Sequence, residues 1–462
     1  MRTRSRQLST ADTELESASI TRSSGVGVRV LVDGCWGFSA TASTRPDDIV
    51  RAATHAVHLA SASRPLSTSP VILAPEPTYR GHWASTCAID PFTVPDSEIV
   101  DLLASRESRL SRSTAVLHTD ASFMAVTEET LLVTSEGTCV SQQKTRVQSE
   151  ISALGANSNT GVIDTMRTIA PPTARGWEYV VGDHWDWDAE LADLPDHLAG
   201  KLAAPSVSPG RSTLVLDPSN LWLTIHESVG HATELDRALG YEANYAGTSF
   251  ATPDELGTRV YGSPLMHVTG DRRTPFGLAT SAWDDEGVAA QEWDLVRDGI
   301  HVGYQVDRAM AGELGMERSN GCAYADSAQH TPIQRMPNVS LRPSTIDTST
   351  QELIASVEDG YYVVGDKSWS IDMQRYNFQF TGQRFFRIRG GVITGQVRDL
   401  AYQSRTPDFW GSLVALGGAS TYVLGGALNC GKAQPGQVAA VSHGCPSAVF
   451  ENVTILNAAE PT

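Results

Sequence analysis

The sequence predicts an α+β protein: an N-terminal sheet with helices on one side, then a C-terminal, mostly antiparallel, barrel-like β domain carrying a helix with His226, Glu227 and His231. Three observations predict it. Helical and strand-like periodicities intermix before residue 205. Hairpin signals repeat from about residue 287 onward. Between them lies Pro205-Ser206-Val207-Ser208-Pro209-Gly210, the best loop signal in the chain, which sets expected domains at 1–205 and 206–462.

Residues 1–23, rich in Ser, Thr and Arg, read as a loose start. Residues 25–32 alternate like a strand, Asp33-Gly34 signals a hairpin turn, and 35–40 answer it. Pro46-Asp47-Asp48 opens a helix with Ile49, Val50, Ala53, Val57 and Ala60 on one face, leaving His55 and His58 as solvated side chains. A second helix is expected over 96–110, its acidic start matched to the helix dipole. Strands follow near 115–126, 131–135 and 138–153, with a turn at Glu128-Glu129-Thr130 and another at Glu136-Gly137. Residues 155–176 read as loop, and Trp185, Trp187, Leu191, Leu194 and Leu198 as a helix ending near Ala204. After a strand at 212–216 comes the helix with the two histidines. The stretch 241–280 is polar, with few clear elements. Strands are expected at 292–297, 301–305, 339–342, 361–364, 377–381, 385–389 and 392–397.

Composition narrows the function. The formal net charge is −18 over 462 residues, which argues against nucleic acid and against an anionic membrane surface. No run approaches the roughly 18 apolar residues of a membrane span. Residues 1–10 lack the apolar core of a secretory signal, and six scattered cysteines suit a reducing compartment. The expectation is a soluble cytoplasmic protein.

Chemistry concentrates in Ile225-His226-Glu227-Ser228-Val229-Gly230-His231. Metal-binding helices usually set two histidines four apart. Here they stand five apart, and at about 100° per residue the rings diverge by about 140°. One metal joins them only if the helix widens locally, as in a π-type bulge, and Gly230 eases that distortion. Leu221, Trp222, Ile225 and Val229 form the apolar face. A catalytic zinc needs three protein ligands and an open position. The third candidate is Cys430, between Gly-containing turns and near Lys432, whose charge favours a thiolate. Cys445 and His443 are its rivals, and spacing leaves Cys430 barely ahead.

Several segments resemble the TldD/PmbA family of metallopeptidases, and within it the TldD branch. They are 25–41 (GVGVRVLVDGCWGFSAT), 226–234 (HESVGHATE), 284–291 (DDEGVAAQ), Arg335-Met336-Pro337-Asn338 and 429–437 (NCGKAQPGQ), in the family's order across nearly the whole chain. The resemblance implies zinc bound by His226, His231 and Cys430, with Glu227 as the catalytic carboxylate. It also implies a two-domain α+β fold and a TldD–TldE-type pair (or a homodimer) in which only the TldD-like subunit holds metal. The implied substrates are unstructured peptides, including modified-peptide precursors. Two features depart from the family: little of the usual helix and first strand precedes residue 25, and Cys445 adds a second late thiol.

The expected reaction is hydrolysis of a peptide bond, with Glu227 moving the water proton to the leaving amine. Glu234 is a candidate for orienting a ligand ring, and Asp236 reads as a surface acid. Asp284-Asp285-Glu286 reads as a turn whose acids bond locally. No oxyanion donor stands out. One alternative is a zinc amidohydrolase acting on a small peptide-like biosynthetic intermediate. Another is a non-catalytic partner subunit, against which both histidines and the glutamate count.

Overall fold

The computed structural model describes residues 1–67 and 69–459. Its first element overturns the loose start. Strands β1 (Arg2–Ala11) and β2 (Glu14–Ser24) form a long hairpin about Asp12 and Thr13, both in the left-handed region. Hydropathy gives no hint of it, because β1 buries polar groups that find distant partners. The Arg6 guanidinium donates to Pro91 O and Val94 O, each at 2.7 Å, and Thr10 Oγ1 donates to Glu107 at 2.5 Å. A satisfied buried polar group costs little, so the strand needs only Leu8 as an apolar anchor.

The next hairpin is the one expected: β3 (Val26–Val32) and β4 (Cys35–Thr41) turn at Asp33-Gly34. Helix α1 (Pro46–Ser63) lies on it, but by a different face. Ala52, Ala56 and Ala60 are buried, whereas Val50 and Val57 are exposed. The cause is close approach. A Cβ at Gly37 would stand 1.9 Å from Ala56 O, so only small residues fit between helix and strand. His55 and His58 are exposed, as expected.

The N-terminal sheet runs β2-β1-β6-β7-β5, with β5 (Arg80–Ala84), β6 (Val116–Val133), β7 (Cys139–Asn157) and β8 (Val162–Arg167) on the far side of β7. Helices α2 (Asp96–Leu110), α3 (Trp177–Val180) and α4 (Trp187–Ala203) pack on it. Leu8, Ile99, Leu103, Phe123, Ile151 and Leu198 share its core. Glu128-Glu129-Thr130 is not a turn. It continues β6, because Glu128 turns inward to Arg146 and Tyr324, each at 2.8 Å. Nor is 155–176 all loop, since β8 returns along β7.

Beyond residue 205 the core is separate, running from Val207 to Ile455. Strand β9 (Gly210–Leu216) pairs parallel with Asp359–Ile371 and antiparallel with Ala448–Asn457. Ala448–Asn457 pairs with Leu400–Arg405, that strand with Asn377–Arg389, and Asn377–Arg389 with Asp359–Ile371. These pairings close a ring of five strands, antiparallel but for one junction, which is the expected barrel. The runs 377–381 and 385–389 are one strand, not two. Phe378, Tyr402, Phe409 and Phe450 pack ring against ring in this core. The 241–280 stretch is largely irregular, as expected, with one strand at Val268–Asp271.

Candidate metal centre

The chain leaves β9 into helix α5 (Pro218–Ile225). Asp217 caps it, accepting from Ser219 N at 2.9 Å, and Pro218 takes the first position, where an N–H has no use. Leu221, Ile225 and Val229 anchor the helix in the core. From His226 to Gly230 the helix widens to a π turn, with His231 N–H bonded to His226 O, five residues back. That insertion cancels the divergence expected of an α-helix. The two imidazoles stand 4.7 Å apart, centroid to centroid, at 76°. Gly230 has ordinary helical angles, so left-handed freedom is not its role. A Cβ there would stand 2.6 Å from Met336 Sδ; the glycine makes room for that side chain.

Cys430 comes from the hairpin Val423–Lys432/Gln437–Cys445. The pairing register shifts between Ala427 and Cys430, a bulge that re-aims a side chain. Arg335 fixes the backbone there, donating to Cys430 O at 2.5 Å and Gln437 O at 2.9 Å. Cys430 Sγ lies 3.6 Å from His231 Nε2. The candidate ligand atoms of His226, His231 and Cys430 lie within 4.8 Å of one another, all buried. Cys445 does not join them; its thiol faces Pro218 O at 3.6 Å.

Around this trio every ring nitrogen has a defined task. His231 Nδ1 donates to Glu234 Oε2 at 2.9 Å. His443 Nδ1 donates to Val339 O at 2.9 Å, and His443 Nε2 lies 2.7 Å from His226 Nδ1. Burial holds all three imidazoles far below their usual range: His226 well below, with the nearness of the His231 and His443 rings acting in the same direction, His231 down to about 3 and His443 to about 4. They are neutral at neutral pH, the state in which imidazole has a lone pair to give.

Burial pushes the Cys430 thiol up to about 11 in the metal-free chain, so the expected help from Lys432 is overridden. Lys432 is committed elsewhere. Its ammonium stands 3.2 Å from Glu234 and 2.8 Å from Asp236. Burial pushes the Glu234 carboxyl up, but Lys432 and His231 outweigh it and hold the group well below its ordinary range. Asp236 is therefore no surface acid: the chain folds back after His231 and turns it inward onto Lys432.

Glu227 is buried beside the trio and ion-paired to Arg375 Nη1 at 2.5 Å. Burial raises its pKa, and Arg375 opposes that. Arg375 sits at φ 61° on the turn after Asp359–Ile371, in a stretch that carries no sequence signal. Arg335 and His443 were visible only as part of a matched segment and as a rival ligand. Asp284 accepts from the backbone of Glu286 and Val288, as expected of a locally bonded turn, but it also accepts from Ala323 N, and Glu286 reaches Arg29 and Arg308 N, so these acids bond at long range as well. A cavity of about 510 Å³ opens between the Cys430 hairpin and strands β6 and β7, lined by Trp222, Trp369, Leu428, Asn429, Val126 and Arg146.

This arrangement defines a buried two-histidine, one-cysteine centre with a carboxylate beside it. Residues 209–457 match the family model described as the PmbA/TldA metallopeptidase C-terminal domain, and residues 1–60 match its domain 1. The chain belongs to the PmbA/TldD family. It is 27% identical over 454 residues to a metalloprotease of Methanothermobacter thermautotrophicus, covering 96% of this chain and 91% of that one. It is 24% identical over 225 residues to a zinc metalloprotease TldD homolog of Saccharolobus solfataricus, 48% of each chain. The structure of TldE from Thermococcus kodakarensis shares the fold, with a TM-score of 0.71, 17% identity and coverage of 98% and 95%.

Proposed function

We propose that the chain is a zinc-dependent peptidase, with His226, His231 and Cys430 as metal ligands and Glu227 as the proton carrier. The observation that carries this is the convergence of three buried donors from two distant segments. One of the three donor spacings matches zinc, and all three donors lie within 4.8 Å of one another. Ligands at about 2.05 Å (nitrogen) and 2.3 Å (sulfur), set at a tetrahedral angle, lie about 3.6 Å apart. His231 Nε2 and Cys430 Sγ are separated by 3.6 Å. His443 does not fit as a ligand beside His226, because two tetrahedral nitrogen ligands lie roughly 3.3 Å apart. Their nitrogens are 2.7 Å apart, a hydrogen-bond distance.

Zinc held there supplies a Lewis acid and makes a water molecule more acidic. Glu227 takes the water proton and returns it to the leaving amine. Arg375, ion-paired to Glu227, favours its charged form and holds it in place. The cavity of about 510 Å³ is lined by Leu428 and Asn429, which precede Cys430, and by none of the four site residues themselves; we take it as the place where an unfolded peptide substrate would lie. We assign residues 1–205 and 206–462 to two domains and place the active chain with a TldE-like partner. Six free cysteines support a reducing cytoplasm. Metal analysis and peptide cleavage with the partner present test the reading. The expected result is about one zinc per chain, and Glu227→Gln that keeps zinc but cleaves nothing. A wild-type chain that takes up no zinc would sink it, and zinc without peptide cleavage would favour a small amide substrate.

A further inference from the structure

We propose that His443 is a positioning residue: it fixes the tautomer and tilt of the His226 ring, so that His226 Nε2 keeps its lone pair for the metal. The inference rests on His226 being a ligand. It follows from hydrogen-bond direction along one relay. Val339 O can only accept, so the His443 nitrogen facing it at 2.9 Å, Nδ1, must carry a proton. A ring that gives Nε2 to a metal, the role assigned to His226, carries its one proton on Nδ1, so the nitrogen facing that proton at 2.7 Å, His443 Nε2, must accept. With His443 Nε2 held as the acceptor, the His226 proton stays on Nδ1 and Nε2 stays unprotonated. Three features hold the relay rigid. His443 is fully buried. Its ring lies at 12° to the Trp222 indole, 6.2 Å away. Val339 belongs to the strand Asn338–Leu341, which also pairs with Val268–Asp271.

His231 solves the same problem with a charged acceptor, Glu234. The centre thus has one ligand polarised by a carboxylate and one by a neutral imidazole ending on a backbone carbonyl. A fixed acceptor behind a ligand imidazole typically matters 10–100-fold in metal affinity.

The test compares His443→Gln, whose amide oxygen can replace the accepting nitrogen, with His443→Leu, which fills space without accepting. Zinc affinity is measured by competition with a chromophoric chelator. The expected result is a loss of about 10–100-fold for His443→Leu and only about threefold for His443→Gln. A His443→Leu variant that binds zinc as tightly as wild type overturns the proposal. Equal losses in the two variants, which mere packing would give, overturn it too. A second measurement needs no variant: ring-nitrogen NMR of the metal-free chain labelled with ¹⁵N-histidine. Protons on Nδ1 of both His226 and His443 support the relay, and a proton on Nε2 of His226 ends it. Failure of the wild type to bind zinc would count against the proposed function instead, leaving the NMR result to judge the relay.

Discussion

Replacing Lys432 by Met removes one cation from a closed group of buried charges, and the cost can be worked out. Lys432 and Glu234 side chains are each 1% exposed, 3.2 Å apart, and Asp236 is 2.8 Å from the same ammonium. At an effective dielectric of about 20, two charges about 3 Å apart attract by roughly 5 kcal/mol before desolvation is counted. The methionine fills the volume, so little cavity forms. What remains is two largely buried carboxylates and one fewer cation. Stranding a buried charge costs about 3–5 kcal/mol. Arg237 stays 3.3 Å from Glu234, which favours the lower end. For a cooperative unit of roughly 250 residues, each kcal/mol moves the midpoint by about 2 °C or more. Calorimetry of metal-stripped protein should therefore show its transition falling by about 6–10 °C. Adding Glu234→Gln to Lys432→Met should restore part of the loss. A fall below about 2 °C would refute the claim that Lys432 neutralises these acids.

Three further outcomes follow. Cys430→Ser should lose most of its zinc while Cys445→Ser retains it, as metal analysis would show; the reverse would exchange their roles. Gly230→Ala pushes a methyl to within 2.6 Å of Met336 Sδ, which is 1% exposed and must shift within the core. Overpacking of this kind costs about 1–3 kcal/mol, and a shorter Met336→Val should rescue it in thermal melts. Burial, then repulsion from Glu286, raises the Asp307 carboxyl to about 7. An acid whose folded pKa exceeds its unfolded value weakens folding as pH rises between the two, so the penalty is complete only above about 7. Asp307→Asn still accepts from Met310 N and should raise the melting temperature more at about pH 8 than at about pH 5.5.

Local signals carried well where they were local. The Asp33-Gly34 turn and the five-residue histidine spacing each encode geometry in adjacent residues, and each is found as expected. What failed was whatever distant partners decide. Glu128 read as a turn residue and Arg6 as part of a loose start because the chain cannot announce that Arg146 or Pro91 O waits to satisfy them. Asp236 failed for the same reason. The buried face of α1 was misjudged because Gly37, in another element, sets how close the helix comes. Spacing could not separate Cys430 from Cys445; resemblance chose between them, and the fold brings only Cys430 to the histidines.

The order in which the barrel strands are strung has a consequence for how the protein is made. The strand that seals the ring beside β9 is Ala448–Asn457, more than 230 residues later in the chain. The thiol at Cys430 arrives almost as late. A ribosome must thus release nearly the entire polypeptide before the histidines meet their third companion. A half-finished chain therefore lacks the assembled trio.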